Sequence, residues 1–517
     1  MRQTNQKKII IILVIFVFIT FISIFSMLCH QYDYIDYNDI FSELSNKRTN
    51  NIITDNKLYY VEDTGLHYEL KYKVSSNTED NDINGINDDI IKIIKSPIEI
   101  DNFTELRKRM ELHTALWDLV FGKYEHNENI NNYKMNLTKN SSFLTKKNIN
   151  SLPSEKKLLA ALHQSLYPWL YNSHFKSFKK LIKSYKGKGL VISTGNKHFK
   201  LARSTIDTLR NVLHSEIPIE IIYNGEDDLS KDKRKILKKY KDVYTTDISK
   251  FYDNKIIDID GWAIKPYAIL ASRFEEVILI DADVMYLRDP MELYEDSGYK
   301  ETGTLFFRDR TLYPGPHPAE QWVKSWMIDP LPETKASRFW NEISQHEMES
   351  STVVINKTKN IIGLLSVCKL NEGNIRSRVV YTYVYGDKET FWIGFDMARQ
   401  HYHMNPIPNA YIGTYYKDEF GKRICGHLGH MLPNGELMFW NGHIIKDKSK
   451  VDGINSLIDF NSYYIDDNHG NWTEDLRCLI INNNEPIIFD DYIRTTLDTI
   501  LEREKEHRFI ISQPKNH

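Results

Sequence analysis

Two aspartates two positions apart, Asp281 and Asp283, are the residues of this sequence best suited to chemistry. They follow an apolar, β-branched run, Glu276 to Ile280, which predicts a buried strand. Side chains at positions i and i+2 of a strand point to the same side, so both carboxylates are expected at its carboxyl end, where open α/β sheets bind ligands. Adjacent carboxylates repel each other unless a cation lies between them, and such oxygen ligands suit Mg²⁺ or Mn²⁺. The pattern therefore predicts a divalent metal ion that binds a diphosphate.

The elements around this pair distinguish it from other Asp-x-Asp triplets, such as the one at Asp258 and Asp260, which lack a preceding strand. Strands are predicted to alternate with helices from residue 189 onward, which implies an α/β fold with a mostly parallel sheet. The predicted strands are Gly189–Ser193, Ile219–Tyr223, Val243–Thr245, Glu276–Ile280, Thr302–Phe307 and Thr352–Ile355, and the predicted helices between them are His198–Leu213, Lys231–Tyr240 and Trp262–Ser272. No Gly-x-Gly-x-x-Gly or Walker motif is present.

A membrane anchor is predicted at the N-terminus. Residues 9–28 are uncharged and apolar, about the length that crosses a bilayer as a helix. Arg2, Lys7 and Lys8 precede this run, so residues 1–8 are expected in the cytosol and the rest of the chain in the lumen. A cleaved signal peptide is the competing interpretation, but its apolar run is usually shorter and ends in small residues.

The composition of residues 29–517 predicts four further regions. Residues 29–100 are rich in polar residues and predict a stem, residues 101–185 a helical lead-in region, 186–448 the catalytic domain and 449–517 a C-terminal accessory region. The net charge of −3 argues against nucleic-acid binding, which needs a basic surface.

Modification sites follow from the predicted lumenal location. One disulfide is expected among Cys368, Cys425 and Cys478, and the sequence does not decide which pair forms it. Five Asn-x-Ser/Thr sequons are candidate glycosylation sites: Asn102, Asn136, Asn140, Asn356 and Asn471. Of these, Asn356 follows an apolar run and is the one expected to be too buried for modification.

Seven motifs between residues 189 and 392 occur in an order that resembles the fungal α-mannosyltransferases of glycosyltransferase family seventy-one. They are Gly189-Leu-Val-Ile-Ser-Thr-Gly195, Ile217-Pro-Ile-Glu220, Gly261-Trp-Ala-Ile-Lys-Pro266, Phe274-Glu-Glu-Val-Ile-Leu-Ile-Asp-Ala-Asp283, Thr302-Gly-Thr-Leu-Phe-Phe-Arg-Asp-Arg310, Glu349-Ser-Ser351 and Gly386-Asp-Lys-Glu-Thr-Phe-Trp392. The similarity spans roughly residues 186 to 445.

The resemblance implies a GT-A-like, Rossmann-like nucleotide-sugar-binding domain. It further implies GDP-mannose as the donor, Mn²⁺ (or Mg²⁺) as the metal and retention of the anomeric configuration. It places the protein in the Golgi membrane as a single-pass type II protein, with mannosylated glycoproteins as acceptors. The pattern is closer to the α-1,3 than to the α-1,2 branch. A non-catalytic, membrane-tethered glycan-binding relative and a transferase that uses UDP-galactose or UDP-N-acetylglucosamine are the alternatives.

Metal and donor ligands are assigned as hypotheses. We expect Asp283 to bind the metal directly, and Asp281 to bind the metal or the donor's ribose. A third ligand is expected from the distal part of the fold, where His430 is favoured over His427 and His443. Lys265 could contact a donor phosphate, and Gly195 could let the backbone approach the guanosine. A solvated helix lysine and a simple turn glycine are the structural alternatives.

Three carboxylates are candidates near the transferred sugar: Glu349, Asp387 and Glu389. A retaining transferase needs a carboxylate nucleophile or a face-selective ion pair. Asp387 could instead cap the helix that follows it. Trp392 and Trp440 could stack on sugar faces, although aromatic residues at such positions more often fill the core.

Overall fold

The computed structural model describes residues 92–94, 96–123, 129–145, 154–171, 174–419, 421–448, 451, 453–466, 468, 471–481 and 484–511. These residues belong to one compact unit, 72–517. The predicted cytosolic tail, the predicted anchor and residues 29–91 of the predicted stem lie outside the described residues. Within the described ranges, no helix combines the length and the apolar character needed to span a membrane.

The first sheet has six strands in the order β3–β2–β1–β4–β7–β6. Their bounds are Lys188–Ser193 (β1), Ile219–Tyr223 (β2), Val243–Asp247 (β3), Glu276–Ile280 (β4), Thr304–Arg308 (β6) and Met348–Asn356 (β7). The first four strands are parallel, whereas β7 runs antiparallel to both of its neighbours. The predicted parallel sheet is therefore the β1–β4 half of a mixed sheet.

A second, antiparallel sheet continues from the first through β5, Val284–Tyr286. Its order is β13–β11–β8–β9–β10–β5, and β12 pairs with β9. The other strands are Ala410–Asp418 (β8), Gly421–Met431 (β9), Leu437–Asn441 (β10), Ser462–Ile465 (β11), Cys478–Ile480 (β12) and Ile487–Ile488 (β13). The predicted boundary between residues 448 and 449 thus falls between strands of one sheet.

Helices cover both faces of the first sheet. The α-helices are α1 Phe103–Phe121, α2 Ile130–Asn140, α3 Ser154–Leu166, α4 Phe178–Ser184, α5 Phe199–Asn211, α6 Lys231–Leu237, α7 Asn254–Ile257, α8 Ile264–Ala271, α9 Ser297–Thr302, α10 Pro318–Trp326, α11 Pro332–Lys335, α12 Ile361–Leu370, α13 Gly373–Ile375, α14 Tyr381–Tyr383, α15 Lys388–Met397 and α16 Asp491–His507. A π-helical turn, Arg376–Val380, joins α13 to α14, and short 3₁₀ turns occupy Ser141–Phe143, Ile248–Lys250, Gly261–Ala263, Pro290–Glu295 and Gly453–Ser456.

Side chains alternate in direction along β4 and contact two separate parts of the core, one on each face of the first sheet. Val277 and Leu279 join the cluster that contains α8, α12, α15 and the helices of residues 103–184. Ile278 and Ile280 face the opposite cluster, which includes the apolar side of α5. A strand buried on both faces typically reads as a near-continuous apolar run, and this is why β4 is recognisable in the chain. Its polar residues can therefore begin only where the strand ends.

Two fully buried histidines face each other where α1 packs on α3. His113 Nε2 lies 2.9 Å from His163 Nδ1, and Trp117, Tyr167 and Phe178 surround the pair. Burial lowers the pKa of His113 to about 3 and lowers the pKa of His163 well below its ordinary value. Both rings are therefore neutral in the folded protein at physiological pH.

We expect this pair to destabilise the fold as the pH falls below about 6.5. The unfolded histidines then bind protons that the folded ones do not, so each subtracts up to about 1.4 kcal/mol of unfolding free energy per pH unit. The stability of the fold with both histidines neutral is fully present above pH 6.5. It is lost progressively as the pH falls from 6.5 toward the folded-state pKa values. Urea unfolding at pH 7.5, 6.0 and 5.0 measures the slope. A His113→Leu/His163→Leu variant should show a shallower slope than the wild type, and equal slopes would contradict the assignment.

Candidate functional site

The aspartate pair lies where the chain crosses from the first sheet to the second. Asp281 follows the last residue of β4, and Asp283 precedes the first residue of β5. The Asp281 amide donates to the Ser351 carbonyl at 2.8 Å, and Thr205 Oγ1 of α5 donates to the carbonyls of Ala282 and Val284. The turn between the two aspartates is thereby fixed from both sides, as a preorganised binding site requires.

Each aspartate is paired with a lysine. Lys265 Nζ lies 2.9 Å from the Asp281 carboxylate and 3.7 Å from Asp387 Oδ2. Lys448, from the loop after β10, forms an ion pair with Asp283. Burial lowers the pKa of Lys265, but the carboxylates of Asp281 and Asp387 more than offset this effect and raise the pKa above its ordinary range. Lys265 is therefore a buried, permanently charged ammonium at the centre of the site.

The two aspartates differ in protonation. Burial raises the pKa of Asp281 to about 7 although Lys265 acts against it, and the charges of Asp283 and Asp387 add to the increase. Burial also raises the pKa of Asp283, but Lys448 overcomes this and holds that pKa below its usual value. Crowded carboxylates of this kind gain most when a further cation arrives, because it relieves their mutual repulsion.

Two cavities meet at this site. The smaller, about 530 Å³, opens at the carboxyl ends of β1, β2 and β4. The larger, about 670 Å³, lies between the first sheet and the β8–β9–β10 face of the second. Trp262, Lys265 and Asp281 line both cavities, so these residues form the boundary between them. A ligand with two chemically distinct halves could therefore occupy both cavities and place its junction beside Asp281.

Most of the predicted site residues line these cavities. Gly195 and Asp283 line the smaller one, and Glu349 and Asp387 line the larger one. Gly195 is required by close packing, because a Cβ there would lie 2.1 Å from Asp228 Oδ1.

Glu349 is held by a set of donors. Its Oε1 accepts hydrogen bonds from the Ser351 amide at 2.9 Å and from Asn441 Nδ2 at 3.0 Å, and His430 Nε2 lies 3.3 Å from Oε2. Burial raises the pKa of Glu349, but His430 and Ser351 counteract it and leave the pKa below its ordinary value. Glu349 is thus an ionised carboxylate in a fixed position on the wall of the larger cavity.

The favoured third metal ligand, His430, is therefore not brought to the aspartates, because its ring faces Glu349 and packs on Phe307 and Phe439. His427 lines the larger cavity, and its Nε2 lies 2.9 Å from the Ile445 carbonyl.

His443 is the histidine beside Asp283. The amides of Gly442 and His443 both donate to the Asp283 carbonyl, at 3.1 and 2.8 Å. The His443 ring is buried and lies next to the Leu201 backbone. Burial lowers the pKa of His443 to about 3, so the ring is neutral, as a metal ligand must be.

The residues fit a divalent ion. Asp281, Asp283 and His443 would supply two carboxylates and one imidazole, and the position of the His443 ring beside Asp283 is the observation that favours this set. In the described part of the chain, no three His, Cys, Asp or Glu side chains form a ready-made metal cluster. Lys448 forms an ion pair with one oxygen of Asp283, so it would compete with a metal ion for that carboxylate.

The third catalytic candidate, Glu389, is not brought into either cavity. The side chain is fully buried, and its two oxygens accept hydrogen bonds from the Glu347 amide and from Trp392 Nε1. Trp392 and Trp440, the tryptophans considered for sugar stacking, are likewise fully buried. The apolar sequence around all three residues places them in the core.

A Glu389→Gln variant is expected to lose stability and keep its activity per folded molecule. The amide nitrogen of glutamine cannot accept a hydrogen bond, so one of two buried donors is left unsatisfied, at about 1–3 kcal/mol. Urea unfolding together with kcat of the soluble fraction measures both effects. A fall in kcat of a hundredfold at unchanged stability would instead restore the catalytic assignment.

The structure pairs Cys425 with Cys478 and leaves Cys368 as a free, buried thiol. This resolves the three-way choice, since Cys425 and Cys478 face each other on β9 and β12. Among the sequons, Asn356 is buried at the end of β7 as expected, whereas Asn102 is exposed and caps α1. The described sequons Asn136, Asn140 and Asn471 are partly exposed.

Several residues at the site were not predicted. Lys448 and Asn441 reach it from the second sheet, and Ser350 holds the Lys265 ammonium through both its carbonyl and its hydroxyl oxygen, each at 3.1 Å. Asn441 directly precedes Gly442 and His443, whereas no sequence signal pointed to Lys448.

The fold and site define an α/β protein with a two-part, charged ligand cleft at the carboxyl ends of its parallel strands. Residues 187–432 match the family model Mannosyl_trans3, described as "Mannosyltransferase putative". The chain is 28% identical over 326 residues to MNN15 of Candida albicans, which covers 50% of this chain and 42% of the relative. It is 27% identical over 265 residues to the alpha-1,3-mannosyltransferase MNT3 of Saccharomyces cerevisiae, at 44% and 40% coverage.

The chain thus spans less than half the length of these curated relatives. Among solved structures, the bifunctional glycosyltransferase WbbM aligns at 12% identity with a TM-score of 0.30, over 53% of this chain and 51% of that one. That likeness is too weak to carry an inference.

Proposed function

We propose that this protein is a metal-dependent, retaining α-1,3-mannosyltransferase of the Golgi membrane. It would transfer mannose from GDP-mannose to mannosylated glycoprotein acceptors. The observation that carries the proposal is the position of Asp281, which lines both cavities, beside Asp283, which lines the smaller one, in the part of the chain that matches the mannosyltransferase family model. The names of the α-1,3-mannosyltransferase relatives support the linkage.

The two cavities would bind different parts of the donor. The smaller one, at the ends of the parallel strands, suits the nucleoside, because ligands of open α/β sheets bind there. The diphosphate would then lie beside Asp281, Asp283 and His443, and the mannose would extend into the larger cavity. A divalent ion bound by these three residues would act as a Lewis acid on the departing diphosphate.

The charged residues around the mannose have separate roles. Lys265 is fixed by Asp281, Asp387 and Ser350, and its permanent charge would attract the donor's phosphate oxygens. Asp387 is nearly fully buried, and its Oδ2 accepts no hydrogen bond from any described residue. Asp387 and Glu349 are therefore the carboxylates available to stabilise positive charge that develops on the sugar.

Incubation of the purified full chain, in detergent, with GDP-mannose, Mn²⁺ and a short α-mannoside tests the proposal. We expect a product one mannose longer, with an α-1,3 linkage assigned by NMR, and no product from UDP-galactose or UDP-N-acetylglucosamine. Thermal shift supplies an independent readout, since a donor at a hundredfold its Kd adds about 2.7 kcal/mol of stability. An α-1,2 product would overturn the linkage, and neither transfer nor hydrolysis of GDP-mannose would favour a non-catalytic glycan-binding protein.

A further inference from the structure

Two large aromatic side chains stand exposed at the site. Trp262 is 50% exposed and Tyr385 is 64% exposed, and their ring centroids are 5.5 Å apart. Tryptophan is mostly buried in folded proteins, so a half-exposed one within a cleft is informative. Exposed aromatic surface of this kind marks ligand grooves.

The local backbone brings the two rings together. Trp262 lies in the 3₁₀ turn Gly261–Ala263, directly before α8, and Tyr385 lies in the turn before α15. Gly386 makes the approach possible, because a Cβ at this position would lie 2.9 Å from Trp262 Cε3 and its φ is +68°. The same turn carries Asp387, so the aromatic pair is tied to the carboxylate that forms an ion pair with Lys265.

We propose that Trp262 and Tyr385 form an aromatic platform that binds a pyranose ring of the acceptor. One face of a pyranose presents C–H groups, and these pack favourably on the electron-rich face of an aromatic ring. A ring seated there would direct its hydroxyl groups toward Asp387 and Glu349, which line the same cavity. This inference rests on the proposed function and adds the place of the second substrate.

The position of the platform favours an acceptor sugar over the donor's base. Tyr385 lines only the larger cavity, whereas the strand ends that suit the nucleoside line the smaller one. Tyr385 is also held from the protein side, since Lys388 Nζ lies 5.3 Å from its ring and is paired with Asp309 at 2.6 Å. A fixed, exposed ring costs little conformational entropy when a ligand binds.

The test compares Trp262→Ala and Tyr385→Ala in the full chain, with Tyr313→Ala as the matched control. Tyr313 is 56% exposed and lines neither cavity. Each platform variant should raise the acceptor KM about 3- to 10-fold, and in Tyr385→Ala, which alters only the larger cavity, the KM for GDP-mannose should change less than twofold. Trp262→Phe, which keeps an aromatic ring, should restore most of the acceptor affinity, and Tyr313→Ala should leave both constants unchanged.

Saturation-transfer NMR provides the second readout. It measures the binding of methyl α-mannoside and mannobiose in the absence of donor. Lower saturation transfer in both platform variants than in the wild type is expected. An unchanged acceptor KM alongside normal transfer would overturn the platform and leave the proposed function intact. A higher KM for GDP-mannose with an unchanged acceptor KM in Trp262→Ala would overturn the platform in favour of base stacking. If no donor is consumed but both variants lose mannoside binding, the platform stands and the proposed transferase activity fails.

Discussion

Exchange of Asp283 for asparagine is expected to lower metal-dependent mannosyl transfer by at least ~10²-fold, the usual scale for loss of one preorganised charge-stabilising group. Asparagine preserves the size of the side chain and leaves the backbone carbonyl free to bind the Gly442 and His443 amides. Only the negative charge is removed, and with it the ion pair to Lys448. The fold should therefore survive while the affinity for Mn²⁺ falls.

Two measurements separate this effect from a folding defect. Calorimetric titration of the purified variant with Mn²⁺ should show weaker binding than the wild type, and the melting temperature should change little. Asp232→Asn is the matched control, because Asp232 is an exposed residue of α6 whose ion-pair partner is its helix neighbour Lys235. Full activity and unchanged Mn²⁺ affinity in Asp283→Asn would refute the metal site.

Removal of the disulfide is expected to destabilise the protein by about 4 kcal/mol, since it closes a loop across 53 residues and loop entropy sets this scale. A functional effect should accompany the loss. Cys425, Leu476 and Arg477 line the larger cavity, and the disulfide fastens β12 with its preceding turn to β9. A Cys425→Ser/Cys478→Ser variant should thus show a higher acceptor KM as well as a lower unfolding free energy.

Cys368→Ala serves as the control for loss of sulfur. This buried thiol lies in the core around α12, away from both cavities, so its removal should cost stability through a small packing defect and leave the acceptor KM unchanged. Urea unfolding under non-reducing conditions and acceptor titration measure both consequences. Equal unfolding free energies for the disulfide variant and the wild type would contradict the prediction.

The parallel half of the first sheet could be predicted because its strands are buried on both faces. The bounds of β1, β2 and β4 agree with the prediction within one residue, since each strand is dominated by apolar residues. The antiparallel direction of β7 could not be predicted, because the path of the connection sets it and not the strand's composition. Asp281 and Asp283 belonged to the predictable part, since their positions follow directly from the end of β4.

The second sheet escaped prediction for a different reason. Gly413 and Gly426 lie within β8 and β9, where glycine normally argues against a strand. Here they allow close backbone approach, because a Cβ at either position would lie 2.1 Å from a carbonyl oxygen of the partner strand. The residues that this sheet contributes, Lys448 and His443, reach the aspartates only through pairing between β10 and β5, distant in the chain.

The crossing of the chain between the two sheets has a consequence for biosynthesis. Asp281 follows the last residue of one sheet and Asp283 precedes the first residue of the other, so the contacts that Gly442 and His443 make with Asp283 form only when β10 pairs with β5. If the proposed function is correct, a chain with its second sheet still unfolded would lack the His443 side of the metal site. The protein would then acquire its activity only as folding is completed.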